Sequence, residues 1–214
     1  MTRSHLIVLP GGSYLRHAPY EGEPIAEWVR SLGINSSVFA YPVGQLYPAA
    51  LDAILAEVRR IRSTGARRVG VLGFSAGGHA AGLAALRQQD DSEQIDLAIL
   101  GYPVVSMQTN PHVRSLTAFL GENPSAELRA ETSLELLVSP AAPPFFVWHT
   151  AEDASVPAAH SYLLGSALAA HSVPHELHVF ATGPHALGLA TEQPGASAWT
   201  TLCETWLRQQ GWLA

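Results

Sequence analysis

Short apolar runs alternate along this chain with longer segments whose apolar residues recur every three or four positions. Continuous runs are typical of strands buried on both faces of a parallel sheet, and the longer spacing is typical of helices that bury one face. The runs predict strands over residues 6–9, 35–41, 67–74, 96–103 and 144–149, and an alternating segment predicts a sixth strand over residues 175–180. The spaced segments predict five helices, over residues 23–32, 47–63, 76–89, 157–171 and 196–210.

Strands that alternate with helices in this way predict an α/β fold, with helices on both faces of a mostly parallel sheet. The 214 residues, 47% of them hydrophobic, are enough for one domain with a sizeable core. Residues 107–142 are longer than an ordinary connection and hold two short apolar pieces, 113–120 and 134–138. Such an insertion is either a helical excursion or a lid over a site.

Charge and cysteine content exclude several classes of function. The formal net charge of −6 argues against nucleic acid or an anionic membrane as a partner. A single cysteine, Cys203, allows no intrachain disulfide, and its place in the last predicted helix indicates a core residue. No Cys and His residues have the spacing of a zinc site.

The first apolar run also bears on location. Residues 1–5 lead directly into the run at 6–9, which is too short for the core of a signal peptide. No apolar run approaches the length of a membrane span. We therefore expect a soluble, cytoplasmic protein, and the sequence leaves self-association into a homo-oligomer open.

A serine flanked by small residues separates the third predicted strand from the third predicted helix. Gly73, Ser75 and Gly77 fit the pattern G-x-S-x-G, in which a sharp strand-to-helix turn exposes a nucleophilic hydroxyl. The pattern alone is as typical of a glycine-rich turn as of a nucleophile. The strand, turn and helix around it favour the nucleophile.

A serine nucleophile needs a base and an acid that orients the base, and in this topology the order is serine, acid, histidine. After the fifth predicted strand the candidate acids are Asp153 and Glu152; we favour Asp153, although a turn acid that caps the next helix explains it equally well. After the last predicted strand, His185 lies in a loop bounded by glycine and proline.

The other nine histidines are weaker candidates for the base. His79, four residues after the serine, is expected to pack or hydrogen-bond, and His149 could line the pocket. We expect surface, strand or loop positions for the others: His5, His17, His112, His160, His171, His175 and His178.

Backbone N–H groups are the expected donors for an oxyanion. One is that of Ala76, which follows the nucleophile. The second is expected from the loop after the first strand, where Gly12 is preferred and Ser13 is its neighbour. A plain glycine turn is the alternative for this loop. Substrate contacts are expected from Gly11, Ser13, Tyr14 and Trp148.

These motifs together resemble the α/β-hydrolase superfamily, and within it the small esterases related to acetyl-xylan esterase and the hydrolase domains of prolyl oligopeptidases. The resemblance rests on residues 9–14, 41–43, 73–79, 102–104, 149–157 and 183–189. It implies Ser75 as nucleophile, His185 as general base and Asp153 as its orienting acid. Pro10 stands where the family usually has His, Pro184 interrupts the usual Gly-His pair, and the family's two leading antiparallel strands are expected to be absent.

The function expected from this resemblance is hydrolysis of short acyl esters, with O-acetyl groups of small carbohydrates as the favoured substrates and no metal or organic cofactor. An arylformamidase is one alternative, because it would use the same loop and triad on a formamide. A non-catalytic ligand-binding relative of the hydrolases is another. A dipeptidyl peptidase is disfavoured, since 214 residues do not hold the propeller that such enzymes carry.

Overall fold

The predicted strands form one six-stranded parallel sheet in the computed structural model, which describes residues 4–87 and 90–213. The strands are β1 Ser4–Leu9, β2 Asn35–Val38, β3 Arg68–Phe74, β4 Ala98–Gly101, β5 Phe145–Thr150 and β6 His175–Phe180. Their order across the sheet is β2-β1-β3-β4-β5-β6. Every strand pair within the described residues is parallel, so the carboxyl ends of all six strands lie along one edge.

The described part of the chain holds eight helices, seven of them between strands and α8 after β6. They are α1 Glu23–Ser31, α2 Ala49–Ser63, α3 Ser75–Leu86, α4 Val113–Leu120, α5 Ala126–Glu131, α6 Leu134–Leu137, α7 Ala159–Ala170 and α8 Trp199–Gln209. Short 3₁₀ turns cover Pro19–Glu21, Asp91–Glu93 and Ala196–Ala198.

Two hydrophobic cores lie on the two faces of the sheet. One core joins alternate side chains of the strands to α1 and α8, with Trp148, Trp199 and Trp206 among its largest members. The other joins the opposite strand face to α2, α3, α7 and the segment between β4 and β5. The four central strands bury both faces, so their side chains are largely apolar without alternation, which is the pattern that predicted them. The edge strands β2 and β6 are only partly buried and carry polar residues.

The predicted elements are all present, and the differences lie at their ends. β2 ends at Val38 and not at residue 41, because Tyr41 turns inward and donates its hydroxyl to the carbonyl of Pro10 at 2.7 Å. α2 begins at Ala49, after Pro48. The predicted third helix extended to residue 89, but residues 88 and 89 lie outside the described residues, as do residues 1–3. Cys203 is a buried, free thiol in α8, as expected.

The segment 107–142 packs on the body of the domain through its helices α4 to α6. The Phe119 ring stacks on Tyr14 with centroids 4.4 Å apart, and its carbonyl accepts the N–H of Tyr47 at 2.8 Å. The N–H of Leu134 donates to the carbonyl of Val105 at 3.0 Å. These contacts hold the segment beside α3, at the same end of the sheet as the loop after β1.

Among residues 4–87 and 90–213, none of the helices has both the length and the apolar character that crossing a bilayer requires.

Candidate active site

A sharp turn presents Ser75 between β3 and α3. Ser75 has a φ of +53°, a left-handed conformation that costs energy for a residue with a side chain. Neighbouring backbone packs closely against the residues on both sides of Ser75. A Cβ at Gly73 would lie 2.2 Å from the carbonyl oxygen of Gly77, and a Cβ at Gly77 would lie 2.1 Å from that of Leu9. Only glycine fits at either position, which explains the G-x-S-x-G spacing.

Three side chains from three loops meet at this turn. His185, from the loop after β6, has its Nε2 2.8 Å from the Oγ of Ser75. Its Nδ1 lies 2.5 Å from the Oδ2 of Asp153, in the loop after β5. With its proton on Nδ1, His185 donates to the carboxylate and accepts from the serine hydroxyl through Nε2. The structure thus brings together the three residues that chain order predicted.

The Asp153 carboxylate is buried and accepts hydrogen bonds at both oxygens. Its Oδ1 accepts the N–H groups of Ser155 and Val156, each at 2.9 Å, and its Oδ2 also lies 3.3 Å from Nε2 of His149. Burial by itself raises the pKa of Asp153, but the hydrogen bonds from His149, His185 and Val156 outweigh it. The pKa of Asp153 therefore lies well below its usual value.

A cavity of about 110 Å³ opens beside Ser75. Its lining is mostly polar and comes from Gly12, Ser13, Arg16, Ala18, Tyr20, Glu21, Ser75, His112, Ser155, His185 and Ala186. The volume is well below the ~300 Å³ at which pockets for drug-sized ligands begin. The cavity has room for a small reacting group and little else.

The loop after β1 contributes backbone to this cavity. Gly12 and Ser13 line it, with φ of +132° and +59°, and the carbonyl of Gly12 accepts the N–H of Leu15 at 3.1 Å within the loop. Ala76 is the second residue of α3, where a helix N–H has no acceptor within the helix. Positive φ values and a helix start are the backbone arrangements that aim N–H groups at an anion.

Three of the expected substrate contacts need correction. The N–H of Gly11 is already used, since it donates to Glu21 Oε2 at 2.8 Å. Tyr14 is fully buried, and its hydroxyl lies 2.6 Å from Nδ1 of His79. Trp148 is fully buried on the other face of the sheet, stacked on Trp199 with centroids 5.1 Å apart. Neither aromatic side chain lines the cavity.

Three of the remaining histidines, His79, His149 and His160, are buried. His79 is a buried hydrogen-bonding residue, as expected, and its Nε2 donates to the carbonyl of Thr132 at 2.7 Å. His149 does not line the pocket; it is buried, and its Nε2 donates to the carbonyl of Val156 at 2.8 Å. His160 is not a surface residue, since its buried Nδ1 accepts the N–H of Val105 at 3.0 Å.

Other lining residues were missed by the sequence analysis. His112 was expected at the surface but lines the cavity, and its Nδ1 lies 2.8 Å from the Oγ of Ser115. Glu21 lines the cavity with only 1% of its surface exposed. Its position two residues before a predicted helix is typical of a solvated acid near a helix start, so the sequence carried no separate signal for it. Arg16, Tyr20, Ser155 and Ala186 were not predicted either.

Within residues 4–87 and 90–213, no three His, Cys, Asp or Glu side chains are grouped to hold a metal ion.

Comparison with known proteins places this geometry in a family. Residues 51–210 match the model of the prolyl oligopeptidase family, and this stretch includes Ser75, Asp153 and His185. The chain belongs to the prolyl oligopeptidase family. Its parallel sheet and flanking helices are those of the α/β-hydrolase fold, as the sequence motifs implied.

Two curated proteins of related sequence are longer than this chain. It is 32% identical over 212 residues to endo-1,4-beta-xylanase B of Butyrivibrio fibrisolvens, covering 89% of this chain and 33% of that protein. It is 26% identical over 201 residues to an acetylxylan esterase of Xylanibacter ruminicola, covering 87% and 41%. The chain thus spans roughly a third to two fifths of the length of these curated relatives.

Solved structures of similar size superpose on nearly the whole of this chain. An acetyl ester-xyloside bifunctional hydrolase from Caldicellulosiruptor lactoaceticus superposes with a TM-score of 0.94 at 38% identity, covering 100% of this chain and 85% of that one. A carboxylesterase from Lactobacillus plantarum superposes with a TM-score of 0.84 at 30% identity, covering 99% and 86%.

Proposed function

We propose that this member of the prolyl oligopeptidase family is a serine esterase that removes short acyl groups, acetyl above all, from esters of small carbohydrates. The observation that carries the proposal is the hydrogen-bonded chain from Ser75 through His185 to Asp153. An ionised carboxylate, a correctly oriented imidazole and a strained serine beside a cavity are the parts that acyl transfer needs.

Acylation begins at the serine hydroxyl. As Ser75 Oγ attacks the ester carbonyl carbon, its proton moves to Nε2 of His185. Asp153 accepts the hydrogen bond from Nδ1 throughout and stabilises the imidazolium that forms. The N–H groups of Gly12 and Ala76 hold the oxyanion. When the tetrahedral intermediate collapses, Nε2 returns its proton to the departing alcohol and leaves an acyl-serine.

Deacylation repeats the sequence with water as the nucleophile. His185 Nε2 takes one proton from the water as its oxygen attacks the acyl carbon, and the same two N–H groups hold the second oxyanion. Collapse breaks the bond to Ser75 Oγ, which recovers the proton from His185. The carboxylic acid leaves, and every proton and electron pair is accounted for by these three side chains and one water.

Cavity size and polarity support a small acyl group and a polar alcohol. A volume of about 110 Å³ suits an acetyl group better than a long chain. Arg16, His112 and Ser155 at the lining offer hydrogen bonds to sugar hydroxyls. The relatives named for acetylxylan and acetyl ester-xyloside hydrolysis support the same substrate class.

The arylformamidase alternative draws less support. An aromatic substrate would call for aromatic walls, but Tyr14 and Trp148 are buried in the cores. Tyr20 is the one phenol among the cavity-lining residues of the described chain.

A cytoplasmic location and self-association stay predictions from the sequence.

The test is a panel of esters. 4-Nitrophenyl acetate, butyrate and octanoate, acetylated xylo-oligosaccharides and N-formylkynurenine are compared by kcat/KM, with Ser75→Ala as the matched control. We expect kcat/KM to be highest for the acetyl esters, to fall with acyl length and to be lost in Ser75→Ala. A folded native chain that hydrolyses no ester, or one that prefers the formamide, would overturn the proposal.

A further inference from the structure

Glu21 is a buried acid beside Ser75 to which the reaction described above gives no role. It ends the 3₁₀ turn between β1 and α1, with 1% of its surface exposed. Its Oε2 accepts the N–H of Gly11 at 2.8 Å, and its Oε1 accepts the hydroxyl of Tyr102 at 2.6 Å. Both carboxylate oxygens are therefore committed, one to the loop after β1 and one to the loop after β4.

Tyr102 extends this connection to a third loop. Its hydroxyl oxygen accepts the N–H of Gly188 at 2.8 Å, in the loop that carries His185. The Tyr102 ring also packs edge-on against the His185 imidazole, with centroids 5.0 Å apart. The carbonyl of Gly188 accepts the Nε1–H of Trp199 at 3.1 Å. Glu21 and Tyr102 together thus join the ends of β1, β4 and β6 around the serine.

The carboxylate and the nucleophile turn both approach Gly11 closely. A Cβ at Gly11 would lie 2.7 Å from Glu21 Oε2 and 3.0 Å from the Cβ of Ser75. Glycine at position 11 therefore lets Glu21 and the turn that carries Ser75 approach each other across the loop. The next residue, Gly12, is the proposed oxyanion donor, so a shift of Gly11 would move Gly12 as well.

From this geometry we infer that Glu21 is a positioning residue: its carboxylate fixes the oxyanion loop and the His185 loop relative to Ser75. The two donors, Gly11 N–H and Tyr102 O–H, require two acceptor oxygens on one side chain, which an amide does not have. The catalytic consequence of this inference rests on the proposed esterase function.

The electrostatic setting argues that the acid is kept for function. Burial raises the pKa of Glu21, while the hydrogen bonds from Tyr102 and Gly11 and the charge of protonated His185 act in the opposite direction; the net shift is upward. In the described residues no Lys or Arg forms an ion pair with Glu21. A buried acid of this kind costs stability, and local costs of this sort collect at functional sites.

The test compares Glu21→Gln, Tyr102→Phe and the double variant in hydrolysis of 4-nitrophenyl acetate. Displacing a loop at the reacting centre by about 1 Å costs on the order of 10²-fold in rate, so we expect kcat of Glu21→Gln to fall by about that factor. KM should change by less than about threefold, since the substrate still binds. Because both side chains act through one hydrogen bond, the double variant should lose less than the product of the two single losses.

A matched control is Glu93→Gln. Glu93 is also a buried acid, at 6% exposure, but it pairs with Arg59 and precedes β4, at the edge of the sheet opposite the site. The Glu93→Gln substitution should lower the free energy of unfolding without changing kcat. If kcat of Glu21→Gln stays within about twofold of the native value, the inference is wrong.

A second readout does not depend on esterase activity. Amide hydrogen exchange at Gly11 and Gly188 should be faster in Glu21→Gln than in native protein, because both N–H groups depend on the carboxylate or on Tyr102. Unchanged exchange at both glycines would overturn the inference even in an active enzyme. If the native chain hydrolyses no ester, the proposed function fails, and the exchange rates still decide whether Glu21 holds the loops. Tyr102→Phe serves for both readouts if Glu21→Gln does not fold.

Discussion

Two buried carboxylates interact with His185, and the protein uses them in different ways. Asp153, in the loop after β5, accepts a hydrogen bond from the imidazole itself and from two backbone N–H groups. Glu21, before α1, accepts one backbone N–H and the hydroxyl of Tyr102, whose ring packs on the imidazole. The pKa of Asp153 lies below its usual value and that of Glu21 above it.

The difference shows that burial alone does not decide the charge of an acid in this site. Both side chains are almost fully enclosed, at 4% and 1% exposure. Asp153 collects enough hydrogen bonds to overcome the cost of burial, whereas Glu21 does not. We therefore expect loss of the Asp153 carboxylate to disturb the base itself, and loss of the Glu21 carboxylate to loosen the loops around it.

The largest expected effect is at Asp153. In Asp153→Asn the amide can donate to Nδ1 of His185, which places the ring proton on Nε2 and removes the acceptor for the Ser75 proton. A wrong tautomer of this kind costs about 10⁴-fold in kcat, well beyond the loss expected for Glu21→Gln. The measurement is kcat for 4-nitrophenyl acetate, with circular dichroism to verify folding. A loss no larger than that of Glu21→Gln would erase the distinction between the two acids.

The dependence of stability on pH should have opposite signs at the two acids. Because the folded-state pKa of Asp153 is lowered, its ionisation adds to the free energy of unfolding above the unfolded pKa of about 3.9. This contribution is lost as the pH falls through the folded-state pKa. Because the folded-state pKa of Glu21 is raised, its contribution is present below the unfolded pKa of about 4.3 and is lost as the pH rises through the folded value.

Urea unfolding between about pH 3 and pH 7 measures both signs. The stability advantage of native protein over Asp153→Asn should shrink as the pH falls. Its advantage over Glu21→Gln should shrink as the pH rises. Referring each variant to native protein removes the common contribution of buried histidines such as His79. If the two differences in free energy of unfolding, native minus each variant, change with pH in the same direction, the assigned pKa shifts are wrong.

The smallest expected effect is at Glu152, the neighbour that the sequence left as a rival to Asp153. Its exposed side chain accepts the N–H of Gly183 at 3.1 Å, whereas the imidazole of His185 is hydrogen-bonded to Asp153. Glu152→Gln keeps an acceptor oxygen for that N–H, so kcat should stay within about twofold of the native value. A loss comparable to that of Asp153→Asn would mean that the wrong acid has been assigned to His185.

Chain order and local pattern were sufficient to predict the sheet and the three residues that meet at the nucleophile. Four of the strands are largely apolar, β6 alternates polar and apolar residues, and Ser75, Asp153 and His185 each follow a predicted strand. In a parallel sheet the ends of strands share one edge, so sequence position translates directly into spatial proximity. The G-x-S-x-G spacing added a steric requirement that could be read without any long-range contact.

The side-chain environment could not be read in the same way. Tyr14 and Trp148 were expected to touch substrate as aromatic walls of a small pocket, but the direction of each side chain is set by packing against Phe119 and Trp199. The role of Glu21 depends on Tyr102, 81 positions away in the chain. Contacts of this kind arise from the tertiary fold, and no local pattern marks them.

The most direct test of the central claim, an activated Ser75, is intact-mass analysis after treatment with a fluorophosphonate. Such reagents phosphonylate a serine only where a base accepts its proton and an oxyanion site stabilises the transition state. We predict one adduct on the native chain and none on Ser75→Ala. A folded native chain that gains no adduct would contradict the proposed role of Ser75 and favour a non-catalytic, ligand-binding relative of the hydrolases.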